Sequence, residues 1–366
     1  MEYIALEALH RYTLLESPTG DPARLGDLAE VLEADAAQAG FTVTREPHPT
    51  GDHLLWSLPA SGVRGAPILL LSHYDTVWPA GTLEAMPWSV QGDVIHGPGV
   101  YDTKAGIAAL LEAVTGLTTH PEIRVIVVAD EEIGSPTAGD LVRSEAGRAG
   151  AVLGLEPPHP GGDLKTGRRG STRARIEVTG VEAHAALDPD AGANAIDELV
   201  DQLLRIRAAV ADRPVLLNTG TIAGGGRTNV VAGKAHADLG LRFVAPEDEE
   251  AVISHLTALR PVRAKAAVTT TLLARRPTWR PSPSGADLLH RIRIAAAGIG
   301  QEIDGRPADG AADTNTTGSL GVPTVDGLAP RGGGAHARTE WVSAAGVGER
   351  VALLGAVLTG GVRVRA

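Results

Sequence analysis

Five segments of the 366-residue chain end in groups that bind metals or move protons: His73 and Asp75 in "LSHYDTV", Asp102 in "GPGVYDTKAG", Glu131 and Glu132 in "ADEEIGS", Glu156 in "GLEP" and His336 in "GGGAHA". Imidazoles with carboxylates form the borderline-to-hard donor set that suits zinc, with cobalt or manganese as substitutes. The chain has no cysteine. Disulfides, thiolate zinc sites and cysteine nucleophiles are therefore excluded, and any metal must be held by His, Asp and Glu. His73 and Asp75 are two apart at the end of an apolar run, so on a strand they share a face, where one can bind a metal while the other steadies it. Alone, that pair reads more readily as a satisfied histidine near a strand end with a turn-forming Asp. Adjacent acids such as Glu131 and Glu132 are usually a solvated strand end. Here they follow "VIVVA", an apolar run that should carry them into a sheet interior. Burying unpaired carboxylates is expensive, and a cation is the natural compensation.

The elements that must position these groups alternate strand and helix. "APILLLSHYDTV" (66 to 77), "EIRVIVVADEE" (122 to 132) and "AVLGLEP" (151 to 157) read as buried strands separated by helical patterns. This is the signature of an α/β fold with a largely parallel sheet, which places its site at the carboxyl ends of the strands. In "TKAGIAALLEAV", which follows Asp102 directly, Ile107, Leu110, Leu111 and Val114 predict one apolar stripe laid on the sheet. After "KTGRRG" the pattern becomes β-α-β-β-α-β, a ferredoxin-like unit. It comprises "STRARIEVTG", a helix through Ile196, Leu199, Val200 and Leu203, two strands, a helix from about 246 to 260, and "AVTTTLLAR". "RRPTWRPSPSG" (275 to 285) reads as the return linker. The expected organisation is a first domain of residues 1–167 and 279–366 interrupted by an inserted domain of residues 168–278, hinged near 168 and 278. No internal repeat is evident.

Composition agrees with a soluble two-domain protein, with 43% apolar and 21% charged residues. No apolar stretch approaches the roughly 20 residues that span a bilayer. The start, "MEYIALEALHRYTLLESPTGD", carries acids where a secretory signal carries lysines, so the expected address is cytoplasmic and no membrane is expected as a partner. A net charge of −11 and 3% aromatics argue against nucleic acid. "GGGR" and "RGGGAH" lack the Lys-Ser or Lys-Thr of a phosphate-binding loop and read as turns where backbone approaches a ligand. His10, His48, His53, His96, His120, His236, His255 and His290 read as surface or packing residues, His96 being the one to check.

The order HxD, the Asp of "YDTKAG", "DEE", "EP" and a late His resembles the dinuclear zinc hydrolases that include glutamate carboxypeptidase, aminoacylase, acetylornithine deacetylase and succinyl-diaminopimelate desuccinylase. The resemblance spans nearly the whole chain. "YDTKAG", "DEEIGS" and "DGLAPRGGGAHARTEW" look most like the glutamate carboxypeptidase branch. It implies a zinc-peptidase catalytic domain with a mostly parallel central sheet and an inserted ferredoxin-like α+β dimerisation or lid domain. It also implies two zinc ions, with Asp102 bridging them, His73 and Glu156 completing one, and Glu132 and His336 completing the other. Asp75 would orient His73, and Glu131 would be the general base that carries the proton to the leaving nitrogen. In such enzymes the peptide after the bridging Asp is usually cis. In the inserted unit, His184 of "GVEAHA" would cross from the partner subunit of a homodimer to stabilise the oxyanion, while Asn229 of "GGGRTNVV" and Arg242 of "LGLRF" would hold a substrate carboxylate. The bland alternatives are a turn histidine, a capping Asn and an exposed strand Arg. "ADTNTTGSLGVP" (312 to 323) resembles a segment lining the substrate side, where Asp313 or Asn315 could contribute a polar contact.

The same resemblance implies, from Glu rather than Asp at 156, a carboxypeptidase or a deacylase rather than an aminopeptidase. The first expectation is a carboxypeptidase acting on a C-terminal residue such as glutamate in a small peptide. The second is an N-acyl-amino-acid deacylase. An expectation of another class is a non-catalytic, metal-stabilised binding dimer.

Overall fold

The Ile68–His73, Ile123–Val128 and Ala151–Gly154 strands bury every residue except Arg124 and lie side by side in a six-stranded sheet. Runs without polar alternation belong in a sheet covered on both faces. In the computed structural model, which describes residues 4–361, the sheet order is Thr42–Glu46, His53–Leu58, Ile123–Val128, Ile68–His73, Ala151–Gly154, Thr324–Val325. The last four strands run parallel and the first two form an antiparallel edge. His73 pairs with Val128 and Leu71 with Gly154. The residues that follow these strands therefore emerge together at one edge of the sheet.

The Ala105–Thr115 helix departs from the expected single stripe. All of its residues from Ala105 to Val114 are buried except Glu112, because the Ile4–Leu14 and Ala344–Ala356 helices pack against it as well. Its small residues allow this: a Cβ at Gly106 would lie 2.9 Å from the Leu155 carbonyl oxygen. The helix also begins later than expected. Val100–Lys104 form an irregular turn with non-helical Asp102 and Thr103, and regular helix starts at Ala105.

The chain divides into two compact units, one of residues up to Arg168 and from Arg280, the other of Arg169–Trp279. These breaks fall one residue after the expected positions. The second unit runs Gly170–Thr179, Ala195–Val210, Val215–Gly224, Lys234–Phe243, Pro246–Thr257 and Ala267–Arg276, strand-helix-strand-strand-helix-strand. Its strands all pair antiparallel, with the second and fourth at the edges. Gly170–Thr179 alternates buried and more exposed residues, as a sheet with one covered face requires. Asn194 caps the first helix by accepting from Ile196 N and Asp197 N. That helix buries Ala195, Leu199, Ile206 and Val210, whereas Ile196 and Val200 are 36% and 45% exposed. The expected apolar face is thus rotated, with Leu199 kept inside and Ile196 and Val200 turned outward. In the return segment, strand continues to Arg276 and helix resumes at Pro283, leaving 277–282 as the connection. Among the described residues no helix is long and apolar enough to cross a membrane.

Candidate active site

His73 is the last residue of its strand and is buried. Its Nδ1 lies 3.0 Å from the Asp75 carbonyl oxygen and 3.3 Å from Asp75 Oδ1. That contact turns Nε2 toward Asp102 Oδ1 at 3.2 Å and Glu156 Oε1 at 3.7 Å. Asp75 lies beyond the strand, so the chain's bend after His73, rather than a shared strand face, brings the two together. Asp75 does more than orient His73: Oδ1 accepts from Glu131 N (3.1 Å), and Oδ2 from Glu132 N (3.2 Å) and Thr19 Oγ1 (2.8 Å). One buried carboxylate thus fixes both the imidazole and the Glu131–Ile133 turn.

Asp102 sits in the irregular turn, followed by a cis peptide to Thr103. Its Oδ2 lies 3.3 Å from His336 Nε2, which is also 3.1 Å from Glu132 Oε2. A single carboxylate therefore stands between two imidazoles, each of which meets a second carboxylate. His336 adopts φ 61°, a left-handed conformation uncommon for a residue with a side chain and typical of functional positions. Glu156 is supported from behind: its N–H donates to Asp326 Oδ1 at 3.3 Å, and Arg168 Nη2 lies 3.9 Å from its Oε2. Asp326 in turn accepts from Arg168 Nε (2.8 Å) and Thr314 Oγ1 (2.6 Å).

Ligand atoms about 2.0–2.2 Å from a tetrahedral ion lie about 3.3–3.6 Å from one another. The four separations of 3.2, 3.7, 3.3 and 3.1 Å have the size of such edges, so the donor set fits two ions sharing Asp102. Among the described residues, one ligand atom from each of His73, Asp102 and Glu132 lies within 4.8 Å of the others. The electrostatics point the same way. Burial disfavours charge on His73, yet Asp102 and Asp75 outweigh it and hold the imidazole well above its ordinary pKa. Asp102 and Glu132 push His336 up to about 10. Burial opposes ionisation of Asp102, but His336 and His73 bring its pKa below the usual range. Burial, followed by the Asp102 charge, lifts Glu156 to about 7. The site demands positive charge at the two Nε2 positions.

Glu131 is buried beside this group, close enough for its charge to act on His73. In the second unit, His184 is exposed, and its Nδ1 accepts from Ala186 N (3.2 Å) and Leu187 N (3.1 Å). A neutral imidazole with Nδ1 as acceptor carries its proton on Nε2, available to donate. Asn229 is exposed on the neighbouring loop, its carbonyl oxygen accepting from Ala185 N at 3.1 Å. Arg242 lies elsewhere, opposite Ser171, with Nη1 donating to Ser171 Oγ (2.5 Å) and Leu241 O (3.1 Å). Burial and the Arg276 guanidinium lower its pKa. The His184 loop joins the start of the Lys234–Phe243 strand, through Gly180 N to Gly233 O and the His184–Val230 bridge. Arg242 is near that strand's far end, and the steps between Lys234 and Arg242 span about 26 Å at strand rise. His184 and Asn229 are brought together; Arg242 is not with them.

Of the other expectations, Asn315 is buried and spends its Oδ1 on Ala312 N of its own turn (2.9 Å), while Asp313 accepts from Ser135 Oγ. His96 is half-buried with Nδ1 3.1 Å from Glu340 O. His53 is a buried packing residue whose Nε2 meets Thr137 Oγ1 at 2.8 Å. Sequence reasoning missed Asp326, Arg168 and Glu340. Asp326 carries a readable signal: it directly follows a short buried strand, as Asp75 follows the end of another by two residues.

Residues 69–360 match the family described as Peptidase family M20/M25/M40. Carboxypeptidase G2 of Pseudomonas sp. (strain RS-16) is 29% identical, over 94% of this chain and 86% of that protein. A succinyl-diaminopimelate desuccinylase of Gluconacetobacter diazotrophicus is 32% identical, over 63% of this chain and 65% of its own length, just under two thirds. Among solved structures, aminopeptidase PepT from Bacillus cereus ATCC 10987 has a TM-score of 0.75 at 22% identity, covering 98% of each chain. The M20 family metallo-carboxypeptidase Sso-CP2 from Sulfolobus solfataricus has 0.72 at 15%, covering 98% of this chain and 99% of its own. At these identities the structures establish the fold alone, and they are named for peptidases of both polarities. The chain belongs to peptidase family M20/M25/M40 and is a metal-dependent hydrolase of amide bonds.

Proposed function

We propose that the protein is a dinuclear zinc carboxypeptidase that removes a C-terminal residue such as glutamate and works as a homodimer. The observation that carries the reading is the Asp102 carboxylate between His73 and His336, each also facing Glu156 or Glu132. The name of the relative that spans most of this chain, Carboxypeptidase G2, supports the direction of cleavage, as does Glu at 156. His73, Asp102 and Glu156 would hold one ion, and Asp102, Glu132 and His336 the other. The chemistry such ions supply when bound is Lewis acidity toward the scissile carbonyl and the attacking water.

The chain's own residues do the rest. Glu131, held in place by the Asp75 grip on its N–H, takes the proton of the attacking water and delivers it to the leaving nitrogen. His184 donates a hydrogen bond from its Nε2–H to the oxyanion that develops on the carbonyl, keeping the proton. Arg242 pairs with the substrate's terminal carboxylate, and Asn229, which lies beside His184 and comes to the site with it from the other protomer, adds a hydrogen bond to that carboxylate. The spacing of about 26 Å along one strand supports a dimer. One small substrate cannot meet both His184 and Arg242 of the same protomer, so one of them comes from the partner.

A second reading, N-acyl-amino-acid deacylase, is favoured by the desuccinylase relatives and uses the same groups on a different acyl half. A non-catalytic binding dimer would have no use for Glu131 beside a complete ligand set. The test is a panel of C-terminal-glutamate peptides, their amidated analogues and N-acyl amino acids, assayed for released amino acid with zinc supplied and after chelation. Zinc-dependent release of the terminal glutamate is expected. Arg242→Ala should cost acid-terminus substrates about 2–5 kcal/mol of transition-state binding and the amidated ones far less. Hydrolysis confined to the N-acyl arm, or equal losses on both peptide arms, rejects the carboxypeptidase assignment.

A further inference from the structure

We propose that Glu340 is a positioning residue that sets the placement of Asp102 relative to His336, and with it the ability of the two imidazoles to share one carboxylate. The inference rests on the reading of Asp102 and His336 as metal ligands.

Glu340 is fully buried, four residues after His336 and immediately before the Trp341–Ser343 strand. Its Oε1 accepts from Tyr101 N at 3.0 Å and Asp102 N at 3.1 Å; its Oε2 accepts from Gly99 N at 3.0 Å and Trp78 Nε1 at 2.8 Å. Only an ionised carboxylate, with about four acceptor positions and no proton to place, satisfies four donors at once. The turn needs such an outside acceptor. Gly99 is left-handed at φ 74°, and Asp102 and Thr103 are non-helical. A buried N–H left without a partner costs the full desolvation of that group.

The main chain of the same residue belongs to the other side of the site. Glu340 N donates to Ala337 O at 2.9 Å, closing the turn that directly follows His336, and Ala337 N donates to Gly334 O at 2.9 Å around His336 itself; Glu340 O faces His96 Nδ1 at 3.1 Å. Through Trp78 the carboxylate also reaches the segment that follows His73 and Asp75. From within the turn, Lys104 Nζ donates to Tyr12 O (3.0 Å) and Leu15 O (2.9 Å) and so ties it to the first helix. Glu340 is thus the piece through which the peptides that aim Asp102 and the turn next to His336 are referred to each other.

Glu340→Gln tests this, since the amide replaces one acceptor oxygen with a donor facing two N–H groups. The control is Glu198→Gln in the other unit, where a buried carboxylate accepts from Val262 N (2.8 Å) and Arg263 N (2.9 Å) without any ligand nearby. Zinc affinity is read by competition with a chromogenic chelator, the ligand field by the visible spectrum of cobalt-loaded protein, and stability by thermal melting. Glu340→Gln is expected to weaken at least one zinc equivalent by about 10- to 100-fold. It should also change the cobalt spectrum, and lower kcat at saturating metal while KM stays near the wild-type value. Glu198→Gln is expected to lower Tm while keeping wild-type zinc affinity and spectrum. Wild-type zinc affinity and spectrum in Glu340→Gln overturn the proposal, as does an equal loss of zinc in Glu198→Gln. Should Glu340→Gln fail to fold, Trp78→Phe removes one of the four donors and must shift the cobalt spectrum in the same direction; an unchanged spectrum rejects the proposal. Asp102→Ala and His336→Ala, run beside these, address the ligand reading separately. Full zinc retention in both refutes that reading, whereas zinc loss in both with an unaffected Glu340→Gln refutes only the role of Glu340.

Discussion

Glu131 and Glu132 are neighbours of the same chemistry, and the structure separates them by what fixes each. Both backbone N–H groups donate to Asp75, one to each carboxylate oxygen. With the turn pinned in that way, Glu132 Oε2 lies 3.1 Å from His336 Nε2, while Glu131 is buried where its charge acts on His73. A carboxylate next to a reacting water can shuttle protons only if it is not itself spent as a ligand. Glu131→Ala is therefore expected to retain two zinc equivalents while kcat falls by at least about 100-fold, the contribution of a positioned acid-base group. Glu132→Ala is expected to lose zinc. Metal analysis of the purified variants decides it: equal and full occupancy in both would show that the two roles are wrongly assigned.

At the scale of elements, the strands that carry the site were legible because "APILLLSH", "VIVVADEE" and "AVLGLEP" each join an unbroken apolar run to a group that is expensive to bury. That conflict between solvent preference and position is local, so it can be read without the fold. The supports behind the ligands were not legible, because their partners are remote: Arg168 meets Asp326 across 158 residues of chain, and Glu340 meets Gly99 across 241. The Ala105–Thr115 helix misled for a different reason. Alanine and glycine add little to an apolar stripe, so a helix covered on several sides looks in sequence like one covered on a single side. The same tight packing gives a prediction that belongs to this helix. A side chain at Gly106 would meet Leu155 O at 2.9 Å and the Leu155 and Ala329 Cβ atoms at 3.3 Å, and Leu155 precedes Glu156. Gly106→Val should cost about 1–3 kcal/mol by overpacking and, by displacing the end of that strand segment, should also loosen zinc. Urea unfolding and zinc retention on dialysis measure the two effects, and unchanged values in both would mean that the helix does not set the position of Glu156.

For the whole molecule, the decisive feature is that the inserted unit carries its candidate chemistry at two places that one substrate cannot bridge. Arg242 pairs opposite Ser171 at the end of the sheet where the chain enters at Gly170 and leaves at Arg276, and His184 is on the loops beyond the other end. If Arg242 serves the site of its own chain, His184 serves that of a partner, and activity requires two protomers. Mixing His184→Ala with Glu131→Ala, each nearly inactive alone, tests this. After subunit exchange, each heterodimer contains one site with its metals and base from the His184→Ala chain and its oxyanion donor from the Glu131→Ala chain. That site is intact, while the other lacks both groups. Random exchange of equal amounts makes half of the dimers heterodimers, so total activity should recover toward a quarter of the wild-type value, with the exchanged species confirmed by differential tags and native mass. Activity that stays at the sum of the parents after confirmed exchange would place His184 in its own chain's site or outside catalysis. The strand-length argument would then have to yield to a different position for the substrate carboxylate, away from Arg242.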